Sequence, residues 1–186
     1  MGHGAANRRI RDAFEQLERE IAAGRPPQED YDLRIDRDGR WYYRGSPIER
    51  PAIVRLFASI LHRASDGSHW LVTPAERTRV HVDDVPFVGV EVAVRGAGTD
   101  QRLELRTNLD EWVPVDAGHR LVMRPQPDGG AAPYVELGGG LEARLARPVF
   151  YELAELAAPD AAGSGLGVWS HGAWFPLEED AAGAGS

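Results

Sequence analysis

The sequence predicts an α+β fold, mostly antiparallel β, with a duplicated strand–helix–strand core in two lobes. Three observations lead to it. Residues 41–76, WYYRGSPIERPAIVRLFASILHRASDGSHWLVTPAE, read as strand, tight corner, helix, turn and strand. A looser copy, LARPVFYELAEL, runs from Leu145 to Leu156. Between them, residues 79–122 hold short β-branched runs parted by turn signals, at intervals too short for the crossover helices that parallel strands need.

The first element is an amphipathic helix over Asn7–Ala23, with Ile10, Phe14, Leu17 and Ile21 on one face and Gly24 and Pro26-Pro27 as its stop. Tyr31–Ile35 alternates as a strand, and Asp38-Gly39 turns it into a second strand at Trp41–Tyr43. Ser46 and Glu49 have capping-box spacing, but Pro51 at the fifth position would remove an intrahelical bond. The continuous helix is therefore expected to start later, with Arg50 at its cap and Pro51 at its first position. Ile53, Leu56, Phe57, Ile60 and Leu61 give it one apolar face. Asp66-Gly67 then turns into a strand at Trp70–Thr73, closed by Pro74.

Strands follow around Val80–Val82, Phe87–Val94, Leu103–Thr107, Trp112–Val113, Leu121–Met123 and Tyr134–Leu137, the last running into Gly138–Gly140. The second helix opens at Arg147-Pro148 with Phe150, Leu153 and Leu156 as its face. Residues 159–167 read as a flexible loop, and Trp169–Phe175 as a hairpin broken at Ser170–Gly172, with His69 and His171 as turn residues. The copies match at Arg50-Pro51 and Arg147-Pro148, at Ser68-His69 and Ser170-His171, and at the turns Asp38-Gly39 and Asp128-Gly129. Three matches in the same order argue for internal duplication. The domains are thus expected at 1–26 (N-terminal helix), 27–84 (N-terminal α+β lobe) and 85–180 (C-terminal β lobe), with 181–186 a disordered tail.

Composition excludes several classes. A net charge of −8 offers no basic excess to neutralise phosphates, so nucleic acid is not an expected partner. No apolar run approaches the roughly eighteen residues of a membrane span, so no membrane partner is expected. The stretch MGHGAANRRIRDAF has no apolar signal region, which points to the cytoplasm. The absence of cysteine removes disulfides, thiolate nucleophiles and zinc–thiolate sites. The six histidines show no metal-ligand spacing, so neither a metal nor a cofactor is expected. Homo-oligomerisation is left open.

All 21 basic residues are arginine, which reflects either genome composition or anion recognition by a planar fork. Arg50 and Arg147 are the candidates of interest, because a helix start repels a cation unless an anion answers it. That anion is either a carboxylate of the protein or a ligand. Asn108, Asp110 and Trp112, in Thr107–Trp112 after a strand end, form either a turn with a buried Trp or a surface that hydrogen-bonds and stacks a heterocycle. Gly138-Gly-Gly140-Leu-Glu-Ala143 matches G-x-G-x-x-A formally, yet it lacks the parallel βαβ unit and acidic residue of a dinucleotide site. Its remaining meaning is a set of free N–H groups at a helix start.

Taken together, DGRWYYRGSPIERPAIVRLFASIL, WLVTPAE, RTNLDEWVPVD, APYVEL and ARPVFYELAEL resemble the bacterial family called domain of unknown function 1285, over residues 31–177. Pro51 departs from the family's usual residue. The resemblance implies a duplicated β-rich core, a C-terminal lobe superficially like a pleckstrin-homology fold, and a nucleotide-like ligand between the two parts in a signalling role. The expectation is a non-catalytic cytoplasmic protein that binds a small anionic ligand at the lobe interface through Arg50, Arg147, Asn108, Asp110 and Trp112. The alternatives are a hydrolase with Asp110 or Asp84 as base, and a protein-interaction scaffold.

Overall fold

The computed structural model describes residues 3–27, 30–127, 129–160, 163 and 165–178, with side chains from residue 8 onward. Asp128, half of the second Asp-Gly turn, and the expected tail lie outside them. The chain divides into two compact units, Met1–Pro86 with Gly139–Leu141, and Phe87–Gly138 with Glu142–Ser186. The protein is α+β and mostly β, and each unit holds a strand–helix–strand segment.

The first unit opens with α1 (His3–Ala22), closed by Gly24 at φ 67°, whose N–H donates to the Ile21 carbonyl at 2.9 Å. Six strands follow: β1 (Leu33–Ile35), β2 (Trp41–Tyr43), β3 (Ser46–Pro47), β4 (Leu61–Arg63), β5 (His69–Val72) and β6 (Arg77–Val82), with α2 (Pro51–Ser59) between β3 and β4. They form one sheet in the order β3-β2-β1-β6-β5-β4. The pair β1–β6 is parallel and its other pairs are antiparallel. Register sets Tyr43, Leu33, Val80 and His69 in one row, and so on one face. Trp70 and Val72 lie on the opposite face, where α1 packs Leu17, Phe14 and Ile21. Covering of both faces accounts for the four consecutive buried residues of β5.

The second unit contains β7 (Phe87–Arg95), a 3-10 turn at Gly98–Asp100, β8 (Arg102–Thr107), β9 (Trp112–Pro114), β10 (Leu121–Pro125), β11 (Ala131–Gly138) and β12 (Leu141–Leu145), then α3 (Arg147–Glu155). A three-stranded sheet, β13 (Ala158–Pro159), β14 (Leu166–Ser170) and β15 (Ala173–Pro176), ends the described chain. The six-stranded sheet has the order β10-β11-β12-β7-β8-β9, with β12–β7 parallel. Numbered from the first strand of each unit, both six-stranded sheets read 3-2-1-6-5-4, with strand 1 parallel to strand 6. The duplication therefore runs through whole sheets. The helices fall at different points of that repeat, since α2 joins strands 3 and 4 whereas α3 follows strand 6.

Several local expectations are corrected. Helix α2 ends at Ser59, and Leu61–Arg63 leaves the helical period to pair with β5 across the Asp66-Gly67 turn. Residues 141–145, expected to lead from the glycines into a helix, form β12, and the helix itself starts at Arg147 as expected. Gly139 and Gly140, at φ 59° and 76°, are the two central residues of the β11–β12 hairpin and not a helix start, because a type I′ turn needs positive φ at both. His69 is a buried strand residue, while His171 does sit in a turn, at φ 49°. The expected 159–167 loop is tied at its base, where Pro159 pairs with Leu166 and the Asp160 N–H donates to the Gly165 carbonyl at 3.0 Å.

The three-stranded sheet is fastened to β8 by polar groups. Fully buried Ser170 accepts the Leu103 N–H at 2.9 Å, and the Gln101 amide donates to the Trp169 carbonyl at 2.9 Å. Buried Glu142 is answered by Arg124, whose guanidinium also lies 5.2 Å from the Tyr134 ring centroid. Among the described residues no helix is long and apolar enough to cross a membrane.

Candidate functional site

The candidate residues fall on both units. Arg50 is the N-cap of α2, in an extended conformation (φ −88°, ψ 108°), with its side chain exposed. Arg147 is the first residue of α3, also exposed. No side chain caps either helix. Among the described residues neither guanidinium is within ion-pair distance of a carboxylate, although each sits at the positive end of a helix.

Asn108, Asp110 and Trp112 share one turn of the second unit, and that turn has a built geometry. Thr107, buried at its base, accepts the Leu109 and Glu111 N–H groups, each at 3.3 Å. The Asn108 N–H donates to the Val88 carbonyl at 2.8 Å, and the Val88 N–H donates to Asn108 Oδ1 at 3.1 Å. One residue on, the Gly89 carbonyl accepts the Ala146 N–H at 2.9 Å. The 107–112 turn and the start of α3 thus hang from neighbouring residues of β7. Within this unit the structure brings Asn108 and Arg147 to the same stretch of backbone.

Two local features make that possible. A Cβ at Gly89 would meet Leu105 Cδ1 at 2.7 Å, so a larger residue there would have to displace the buried Leu105 side chain. The register then shifts between Gly89 and Glu91, a bulge that leaves Val90 exposed. Bulges of this kind bend a strand and re-aim its side chains beside binding surfaces.

Asp110 stands at φ 65° and accepts Arg106 Nη1 at 2.9 Å, while Arg106 Nε donates to Glu91 Oε2 at 2.7 Å. The hydrogen bond to Glu91, followed by that to Asp110, raises the Arg106 pKa above its ordinary value. Arg106 is the residue that sequence reasoning missed. Its alternation with buried Leu103 and Leu105 was the available signal that it lies on the outer face. Trp112 pairs with Arg106 in register and is 46% exposed, so the turn displays its tryptophan where a buried one was the other reading. Asp84 lies in the link between β6 and β7. Among the described residues no group of three or more His, Asp or Glu side chains could hold a metal ion.

The fold and these surfaces define a class, a duplicated mostly-β protein with an uncapped, arginine-bearing helix start in each unit. Its two units match the family models described as "Domain of unknown function (DUF1285), N-terminal domain" over residues 24–85 and "Protein of unknown function (DUF1285), C-terminal domain" over residues 86–177. The chain belongs to the DUF1285 family. The crystal structure of a DUF1285 family protein from Silicibacter pomeroyi DSS-3 is similar at 44% identity and a TM-score of 0.77, covering 83% of this chain and 84% of that one. A second, from Shewanella baltica OS155, is similar at 28% identity and a TM-score of 0.52, covering 66% of this chain and 90% of that one. No curated protein matches the chain.

Proposed function

We propose that the protein is a non-catalytic, cytoplasmic binding protein of a signalling system, and that it takes a small anionic, nucleotide-like ligand. The observation that carries this reading is the joint anchoring of α3 and the 107–112 turn on Val88–Gly89. That anchoring ties the uncapped start of α3, with its ion-pair-free Arg147, and the turn that leads into exposed Trp112 to one strand, β7. A phosphate suits the guanidinium fork together with the helix start, and a base suits the indole face. Asp110 is already engaged by Arg106, which favours binding over its use as a hydrolytic base.

The test is a thermal-shift screen against adenine and guanine nucleotides, followed by calorimetry. A bound nucleotide raises the melting temperature, by the equivalent of about 2.7 kcal/mol at a hundredfold excess over Kd. Arg147→Ala is expected to weaken that binding by about 1.5–3 kcal/mol, the size of a hydrogen bond to a charged group, while barely changing stability without ligand. Equal affinity in the variant rejects the site. Consumption of the nucleotide, lost in Asp110→Asn, would move the protein to the hydrolase class.

A further inference from the structure

We infer that the first unit holds a second binding site, for a single-carboxylate amphiphile of the fatty-acid class. It is a groove of about 470 Å³ lined by Tyr31, Leu33, Tyr43, Ile48, Ile53 and Phe57. This volume falls within the roughly 300–1,000 Å³ of small-molecule pockets. The lining is apolar apart from its tyrosine hydroxyls, and Tyr31 and Tyr43 are about two-fifths exposed. The sheet supplies one wall through the Leu33–Tyr43 cross-strand pair, and α2 supplies another through Ile53 and Phe57. Phe57 in turn rests on buried Trp41, at 5.9 Å between ring centroids.

The rim identifies the head group. Arg44 lies over the Tyr43 ring, with 5.2 Å from its guanidinium carbon to the centroid, and it makes no ion pair among the described residues. It occupies the first central position of the two-residue β2–β3 turn, at φ 48°, with Gly45 at φ 75°. Gly, or Asn and Asp with their short polar side chains, would take that left-handed position at less cost, so an Arg there is a strained choice that sets a cation against a ring of the groove's lining. Arg50 lies in the chain between the lining residues Ile48 and Ile53, and its carbonyl accepts the Ile53 N–H at 3.0 Å. Glu49 is exposed beside Arg50, and Asp32, just before β1, is exposed with its carbonyl accepting the Arg44 N–H at 2.9 Å. With two arginines set against two carboxylates the rim holds no basic field for a polyanion, and Arg44, stacked on a lining ring, can offer its guanidinium fork to a single carboxylate. The tail fills the groove and the carboxylate meets Arg44.

The site lies wholly in the first unit and does not rest on the Arg147 reading. Its test is calorimetry of the full chain with sodium decanoate below its micellar range, beside decan-1-ol as the neutral analogue. Decanoate is expected to bind saturably and about fivefold more tightly than the alcohol, the size set by an exposed ion pair. Arg44→Asn, which suits the turn, removes that difference. Ile48→Trp fills the groove and abolishes binding of both. Arg147→Ala leaves both unchanged. Absence of saturable decanoate binding overturns the proposal, and so does decanoate affinity that is indifferent to Arg44→Asn, or equal to that of the alcohol in the unaltered chain. Circular dichroism of each variant establishes that it is folded, and the Arg44→Asn comparison stands even if Ile48→Trp is not.

Discussion

Burial governs the titration of His69. Its ring lies on the inner row of the first sheet beside Val80, and its Nε2 has no hydrogen-bond partner among the described residues. Burial, followed by the charge of Arg63, holds its pKa at about 4 against an ordinary value of 6.5. Between those values the unfolded chain binds a proton that the native chain does not. Stability is therefore full above pH 6.5 and falls as the pH drops toward 4, by about 2 kcal/mol at pH 5. His62, stacked on Phe14 at 4.7 Å, is also lowered by burial and adds a slope of the same sign. His69→Leu removes the larger share, so its loss of stability between pH 7 and pH 5, measured by urea unfolding, is expected to be much smaller than that of the unaltered chain. Equal losses in the two proteins would show that the ring is protonated in the fold.

At the scale of elements, the β14–β15 hairpin depends on one missing side chain. A Cβ at Gly167 would lie 2.4 Å from the Phe175 carbonyl oxygen and 2.5 Å from the Trp174 ring. Real Cβ atoms do not approach this closely, and the first obstacle is backbone, which cannot swing aside. Gly167→Ala is expected to cost about 1–3 kcal/mol through overpacking, read as a lower midpoint of chemical unfolding. An unchanged midpoint would mean that β15 is free to move off its partner. The same scale explains what the sequence made legible. The α1 face and the Asp38-Gly39 and Asp66-Gly67 turns were readable because each is local, set by a period or by a glycine at positive φ. Strands β4 and β12 were not, because three to five residues are too few to separate a strand from a helix flank, and their pairing partners decide. The candidate site divides in the same way. Arg-Pro announces a helix start, so Arg50 and Arg147 were placed there correctly. The bonds from Asn108 to Val88, twenty residues away, and the sharing of Arg106 between Glu91 and Asp110 are non-local, and no motif encodes them.

At the scale of the whole molecule, the repeat makes a prediction about where stability resides. Each six-stranded sheet places its single parallel pair at the centre, β1–β6 in the first unit and β12–β7 in the second. Three of the four rim strands are short, with two residues in β3 and three each in β4 and β9, while the fourth, β10, has five. The central strands carry fully buried Ile35 and Ala143 with nearly buried Val80 and Phe87. A strand bonded on both sides and packed in this way opens only when its unit opens, whereas a rim strand can fray alone. Amide exchange should therefore be slowest in β1, β6, β7 and β12 and fastest in β3, β4 and β9. The sharpest comparison is within the second unit. Parallel pairing is slightly weaker per residue than antiparallel pairing. If intrinsic ladder strength controlled exchange, the Ala143–Phe87 register would be less protected than the outer β10–β11 ladder. If position in the sheet and burial control it, the order reverses, and that reversal is what the repeat predicts. Exchange followed residue by residue decides between them, since slower exchange in β10 and β11 than in β12 and β7 would place the stable element of this unit at its edge and remove the centre of the repeat from any role in holding the fold.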